Sequence, residues 1–435
     1  MFVMSARLRR IVSVAANYAI SVVAAIATYY FPSWGEHITS LETLLKSNPT
    51  SALTLLALAT TAGAFLIVSI RFAYKRRIKT KGQTPLERYF EEADFAALPF
   101  DRLGYSDRFA YTMAELSDIA YLAPDRDYTL EDGSTTTVND VLAKAGFGEA
   151  RWFEVQCGKI DTQGFVTRRG GNKPYIVVAF RGSEANVEDW LTNADAKPTE
   201  VTIDAGDAKI TGNVHSGFLK AYQAAAKDID AAIAEVSTGA SGVPIFYTGH
   251  SLGGALAMIA VRIEAPDSGG ACYTYGSPRV GDYPFYKGVK TPIYRVVNAA
   301  DIVPRVPPGI WSYPLIQLFK LLGLLTRWCH GDRLFKWVAA FLYEIRIYRH
   351  YGDLRYLPDM EASTGVATDG NAGRGLHILN NPNNFDMIQW FYRHIMISFG
   401  LAAVKSHSMR IYREKLLNIA RDRMNPVTFV IEAKD

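Results

Sequence analysis

The chain has 435 residues, 49% of them hydrophobic and 21% charged, with a formal net charge of +4. This is a globular balance, long enough for two ordinary domains or one large domain with additions. The small charge, with no basic run interleaved with aromatics in the main body, excludes nucleic acid as an expected partner. Three scattered cysteines, Cys157, Cys272 and Cys329, offer neither a zinc spacing nor a disulfide framework and fit a reducing compartment.

The first predicted elements are apolar. Ile11 to Phe31 carries no charge over about the length that crosses a bilayer, and Leu53 to Ile70 is a second uncharged run. Neither has the polar stripe of a core helix. Residues 1–82 are therefore expected to form a membrane hairpin with spans at about 11–31 and 51–73. Arg7, Arg9 and Arg10 precede the pair, and Arg71, Lys75, Arg76, Arg77, Lys79 and Lys81 follow it, whereas the connecting segment holds one Lys and two Glu. The positive-inside asymmetry predicts a two-span, multi-pass membrane protein with the remaining chain on the cytoplasmic side. Reading the first run as a signal peptide leaves that side unchanged, because the second run then stops transfer.

Residues 83–435 are expected to be one globular unit. The runs "KPYIVVAFRGS", "PIFYTGHS", "ACYTYGSP" and "PIYRVVNAAD" are β-branched and aromatic, and each ends at turn residues. Helical patterns such as "GFLKAYQAAAKDIDAAIAEV" and "LGGALAMIAVRIEA" separate them. This alternation predicts an α/β fold with a mostly parallel sheet, whose site lies at the carboxyl ends of the strands.

One such end reads Gly249-His250-Ser251-Leu252-Gly253, the form G-x-S-x-G. A serine on a strained strand-to-helix turn needs glycines two residues away, where side chains would strike neighbouring backbone. The amino end of the following helix favours negative charge at the serine. The motif alone is weak, and its strand-like and helical flanks strengthen it. A serine nucleophile needs a base and the base an orienting acid, in the chain order Ser, Asp or Glu, His. Asp301 closes the run "YRVVNAAD", although a lone Asp there also reads as a capping residue. Beyond His330, the candidates for the base are His350, His377, His394 and His407, and order alone does not choose among them.

Together these segments resemble the class 3 lipase family, a branch of the α/β-hydrolases. The resemblance rests on "VVAFRGSEANVEDWLTNADAKP", "NVHSGFLKAY", "YTGHSLGGALAMIA", "YTYGSPRVGD", "YRVVNAADIVPRVPP", "HYGDLRYL" and "SHSMRIYREKL", which run in the family's order over roughly residues 150–415. It implies an α/β-hydrolase fold in which Ser251 is the nucleophile, Asp301 the acid and His407 the base, with His350 as the alternative base. It also implies an oxyanion hole from Ser183 and the Leu252 N–H, with Gly249, His250 and Gly253 completing the elbow. A lipid ester is the implied substrate, membrane lipids the implied surroundings, and neither a metal nor a cofactor is required. The alternative is a non-catalytic hydrolase-fold scaffold or lipid-binding protein.

Two features depart from the compact family pattern. Residues 184–193, where relatives carry a lid helix, offer only Val187, Trp190 and Leu191 as an apolar face. Residues 309–349 form an insert rich in Leu, Trp and Phe and punctuated by Lys320, Arg327, Arg333, Lys336 and Arg346. It reads equally as a bilayer-interface element or as a helical cap with solvated basic residues.

Overall fold

The computed structural model describes residues 85–97, 104–124, 126–157, 160–182, 197–204, 209–238, 242–299, 301–309, 313, 316–317, 319–320, 332–358, 378–380 and 406–424. Both expected membrane spans, residues 184–193 and the candidates His330, His377 and His394 lie outside them. Among the described residues no helix is long and apolar enough to cross a membrane. Two compact units divide the chain: one comprises residues 73–307 and 348–435, and residues 308–347 belong to the other.

After two 3-10 turns at Leu86–Arg88 and Ala93–Ala96, the larger unit enters α1 (Asp107–Ile119), capped by Ser106, whose hydroxyl accepts from the Phe109 N–H. Short strands β1 (Tyr128–Thr129) and β2 (Thr135–Thr136) lead to α2 (Val138–Lys144), which begins in a Thr137/Asp140 capping box. Strands β3 (Arg151–Cys157), β4 (Ile160–Arg169) and β5 (Tyr175–Phe180) follow, then a two-stranded ribbon of β6 (Pro198–Asp204) and β7 (Lys209–His215). The chain then alternates through α3 (Ser216–Val236), β8 (Ile245–His250), α4 (Leu252–Ile263), β9 (Gly269–Tyr275) and β10 (Ile293–Asn298). Helix α5 (Asp332–Ile345) belongs to the smaller unit, and β11 (Asp353–Leu357), β12 (Leu379–Asn380) and α6 (Met409–Met424) complete the larger one.

Eight strands form one sheet in the order β12-β11-β10-β9-β8-β5-β4-β3. The centre from β5 to β11 is parallel, and β3, β4 and β12 add antiparallel edges. The parallel centre matches the alternation of helical and strand patterns. The antiparallel edge comes from "RWFEVQC" and "IDTQGFVTRR", which no helix separates. Central strands are buried on both faces, as parallel strands between helical layers require. Side-chain alternation sends Val177 and Phe246 to the core shared with α1 and α6, and Val178 and Tyr247 to the core shared with α3 and α4. Helix α3 buries Phe218, Leu219, Tyr222, Ala225, Ile229 and Ala232, a helical stripe. Helix α4 is buried from Gly253 to Arg262, which accounts for its nearly charge-free sequence.

In the smaller unit, α5 turns Ala339, Leu342 and Ile345 inward and leaves Arg333, Lys336, Trp337 and Tyr343 exposed. The Trp337 and Phe341 rings stack 6.0 Å apart, and the Arg346 guanidinium lies 3.5 Å from the Tyr343 ring centre. The helix expected in the insert is thus amphipathic, with aromatic and basic side chains on its exposed face.

Candidate active site

Parallel strands β5, β8, β9 and β10 end on one side of the sheet, and the site is built on the residues after them. Ser251 stands between β8 and α4 with φ 58° and ψ −124°, a conformation few side-chain-bearing residues adopt. Its N–H donates to the Tyr275 oxygen at 2.9 Å. The flanking glycines are dictated by contact: a Cβ on Gly249 would strike the Gly253 main chain, and one on Gly253 the carbonyl of Phe180. Leu252 is the first residue of α4, where main-chain N–H groups have no partner within the helix.

The Ser251 hydroxyl is 2.9 Å from His407 Nε2. His407 Nδ1 lies 3.0 and 2.9 Å from the two carboxylate oxygens of Asp301. All three residues are buried, Asp301 completely. A carboxylate only accepts, so Nδ1 carries the hydrogen and Nε2 is left to accept from the Ser251 O–H. That tautomer can withdraw the serine proton, while the buried carboxylate can stabilise the imidazolium that results.

Several further groups hold the acid and the base. Asp301 Oδ2 accepts from the Tyr412 hydroxyl at 2.7 Å, and Oδ1 from the Val303 N–H at 2.9 Å. Tyr412 is itself fixed by the Asn298 N–H at 2.9 Å. The Asn298 amide donates to the Ser406 carbonyl at 2.7 Å, and Lys415 Nζ donates to Asn298 Oδ1 at 2.7 Å. Gly276, at φ +59°, makes room: a Cβ there would lie 2.7 Å from Asp301 Oδ2 and 3.0 Å from His407 Nδ1. Asn298 and Tyr412 lie within the segments "YRVVNAADIVPRVPP" and "SHSMRIYREKL", but nothing in their spacing marks them as supports of the acid and base. The glycine of "YGSP" is a signal that sequence reasoning passed over.

Helix α6, which follows His407, is fastened to α1. Arg413 donates to both Glu115 oxygens at 2.9 and 2.8 Å and to Asp118 at 2.8 Å, and its guanidinium lies 4.1 Å from the Tyr89 ring centre.

The other expected residues divide clearly. His350 Nε2 donates to the Pro304 carbonyl at 2.6 Å, on the loop that follows Asp301. Burial pushes its pKa well below the ordinary value, and Arg295 and Arg279 add to the effect. Among the described residues, the imidazole hydrogen-bonded to the Ser251 hydroxyl is that of His407. His250, the residue before the serine, contacts the His407 main chain through Nε2 at 2.8 Å. Ser183 lies outside the described residues. Among the described residues no group of three or more His, Cys, Asp or Glu side chains is placed to hold a metal ion.

A parallel-centred sheet between helical layers, with a serine on a strand-to-helix elbow and Asp and His after later strands, defines the α/β-hydrolase fold. Within that fold the chain is similar to the class 3 lipases: residues 177–310 match the model of the family described as Lipase (class 3). That stretch holds Ser251 and Asp301, and His407 lies beyond it. Over 142 residues the chain is 39% identical to secreted mono- and diacylglycerol lipase 1 of Fusarium solani, an alignment covering 32% of this chain and 41% of that protein. It is 32% identical over 162 residues to a lipase of Rhizomucor miehei, covering 35% and 43% of the two chains. To the chloroplastic phospholipase A1-Igamma2 of Arabidopsis thaliana it is 28% identical over 285 residues, covering 54% and 49%. The chain thus spans between 41% and 49% of these relatives' own lengths.

Proposed function

We propose that the chain is a membrane-anchored serine hydrolase that cleaves acyl-ester bonds of glycerolipids or phospholipids. The observation that carries this reading is the continuous contact from Ser251 Oγ through His407 to Asp301, at 2.9 Å on the serine side and 2.9 and 3.0 Å on the acid side. Ser251 Oγ attacks the ester carbonyl carbon as His407 Nε2 takes its proton, and the carbonyl oxygen becomes an oxyanion. The Leu252 N–H and Ser183 stabilise that oxygen, each such donor contributing about 3–4 kcal/mol in the transition state. The tetrahedral intermediate collapses, the alcohol leaves with the proton from His407, and an acyl group remains on Ser251. Water, deprotonated by His407, then releases the fatty acid and restores the serine.

The substrate class draws support from relatives named for mono- and diacylglycerol and for phospholipase A1 activity. The uncharged sequence runs expected to span at about 11–31 and 51–73, and the basic flank after them, support a membrane anchor with the hydrolase unit on the cytoplasmic side. The exposed Arg333, Lys336, Trp337 and Tyr343 face of α5 fits the interface of an anionic bilayer, the setting of such a substrate. The test is to reconstitute the full chain and its Ser251→Ala form in vesicles containing diacylglycerol and phospholipid, and to follow lipids by mass spectrometry. Fatty acid and the matching deacylated lipid should accumulate with the wild type alone. A folded wild type that releases nothing and fails to react with a fluorophosphonate would leave a lipid-binding scaffold as the better reading.

A further inference from the structure

We infer that Tyr121 and His250 form a brace that sets the base, so that His250 is a positioning residue of the site; this rests on the reading of Ser251, His407 and Asp301 given above. His250 ends β8 and is buried. Its Nε2 is 2.8 Å from the main-chain oxygen of His407, and its Nδ1 is 2.9 Å from the Tyr121 hydroxyl. A carbonyl only accepts, so Nε2 carries the hydrogen and donates to His407. The neutral ring then accepts the Tyr121 O–H at Nδ1. Both ring nitrogens are engaged, and turning the ring breaks both bonds together.

The consequence falls on the segment that delivers the base. Asn298 holds the Ser406 carbonyl at 2.7 Å, and His250 holds the next carbonyl, that of His407. Two successive peptide groups are thereby fixed, and the His407 imidazole projects from between them toward Ser251 and Asp301. The His250 ring also lies alongside that imidazole, with centroids 4.5 Å apart. At the far end of the brace, Tyr121 meets the end of β5. A Cβ on Gly182 would collide with the Tyr121 hydroxyl, and the Arg181 guanidinium lies 5.9 Å from the Tyr121 ring centre. The brace therefore runs from the end of β5 to the backbone of the base.

Three substitutions in the full chain test this. His250→Phe keeps an aromatic ring and removes both ring nitrogens, His250→Gln keeps a donor near the Nε2 position, and Tyr121→Phe removes one hydroxyl. Each is assayed for kcat and KM on a soluble chromogenic ester and for the rate at which a fluorophosphonate acylates Ser251, with Ser251→Ala as the blank. A base displaced by about 1 Å costs roughly 100-fold, so His250→Phe should lose about that factor in kcat and in acylation rate, with KM nearly unchanged. The Gln variant should recover about tenfold of that loss, and Tyr121→Phe should lose about fivefold. Equal kcat for the Phe and Gln variants, or a loss confined to KM, overturns the brace while leaving the hydrolase reading intact. A wild type that never labels overturns both. Should His250→Phe fail to fold, Tyr121→Phe carries the test alone, and an unchanged kcat and acylation rate there overturns the proposal.

Discussion

The turn that carries Ser251 is set by main-chain packing, whereas Asp301 and His407 are held mostly by side chains, with the Val303 N–H as a main-chain exception. On the serine side, the turn between β8 and α4 is fixed by backbone packing so close that Gly249 and Gly253 have no space for a Cβ. On the other side, Tyr412, Arg413 and Lys415 of α6, with Asn298 and His250 from distant strands, fix a carboxylate, a loop and a helix. The difference sets how each half fails. The elbow is broken by adding atoms, and the acid–base half by removing polar ones or, at Gly276 alone, by adding a methyl group.

That contrast can be pressed from its strongest expected effect downward. Asp301→Asn keeps the shape but reverses the hydrogen-bonding pattern at His407 Nδ1, so kcat on a soluble ester should fall about 10⁴-fold, with a stability cost of only about 1–3 kcal/mol. A loss of stability with little loss of rate would mean that Asp301 serves the fold instead. Glu115→Ala leaves Arg413 buried beside Asp118 alone, and chemical unfolding should report a destabilisation of about 3–5 kcal/mol. Gly249→Ala forces a Cβ against the Gly253 main chain, and the same measurement should show a loss of about 1–3 kcal/mol. Tolerance of that methyl group would remove the idea that packing alone sets the elbow. Tyr412→Phe removes one donor from Asp301, and kcat should fall by about tenfold with a stability cost of about 1–2 kcal/mol.

The smallest effect concerns His350. Its folded pKa lies below its unfolded value, so the unfolded chain binds the extra proton first as pH falls. Stability from this group is present above the unfolded pKa of about 6.5 and is lost below it, by at most about 1.4 kcal/mol per pH unit. His350→Asn should flatten the fall in stability between about pH 6.5 and 5, read by urea unfolding, without altering the pH dependence of catalysis. A shifted kinetic profile would instead tie His350 to the chemistry.

Legibility in the sequence follows the same division. A device made by packing of neighbours leaves a local record: Gly249, Ser251 and Gly253 stand within five residues, and the flanking strand and helix patterns give their setting. The β-branched runs likewise place β5, β8, β9 and β10, because a strand buried on both faces is apolar throughout. Asp301 and His407 were reachable through resemblance to the class 3 lipases. The residues that hold them were not, because contacts such as Tyr121 to His250, 129 positions apart, or Arg413 to Glu115, 298 apart, leave no periodicity to read. His350 shows the same limit from the other direction. Only its environment, a carbonyl partner and buried arginines, separates it from the imidazole beside Ser251.

The amphipathic insert leaves and re-enters the larger unit through a single doorway. Arg279 N–H donates to the Val306 carbonyl at 2.9 Å just before the chain departs, and Arg349 N–H donates to the Gly281 carbonyl at 2.8 Å just after it returns. One short stretch of the loop after β9 therefore clasps both flanks, and β10 and β11, which the insert separates along the chain, meet as neighbouring parallel strands.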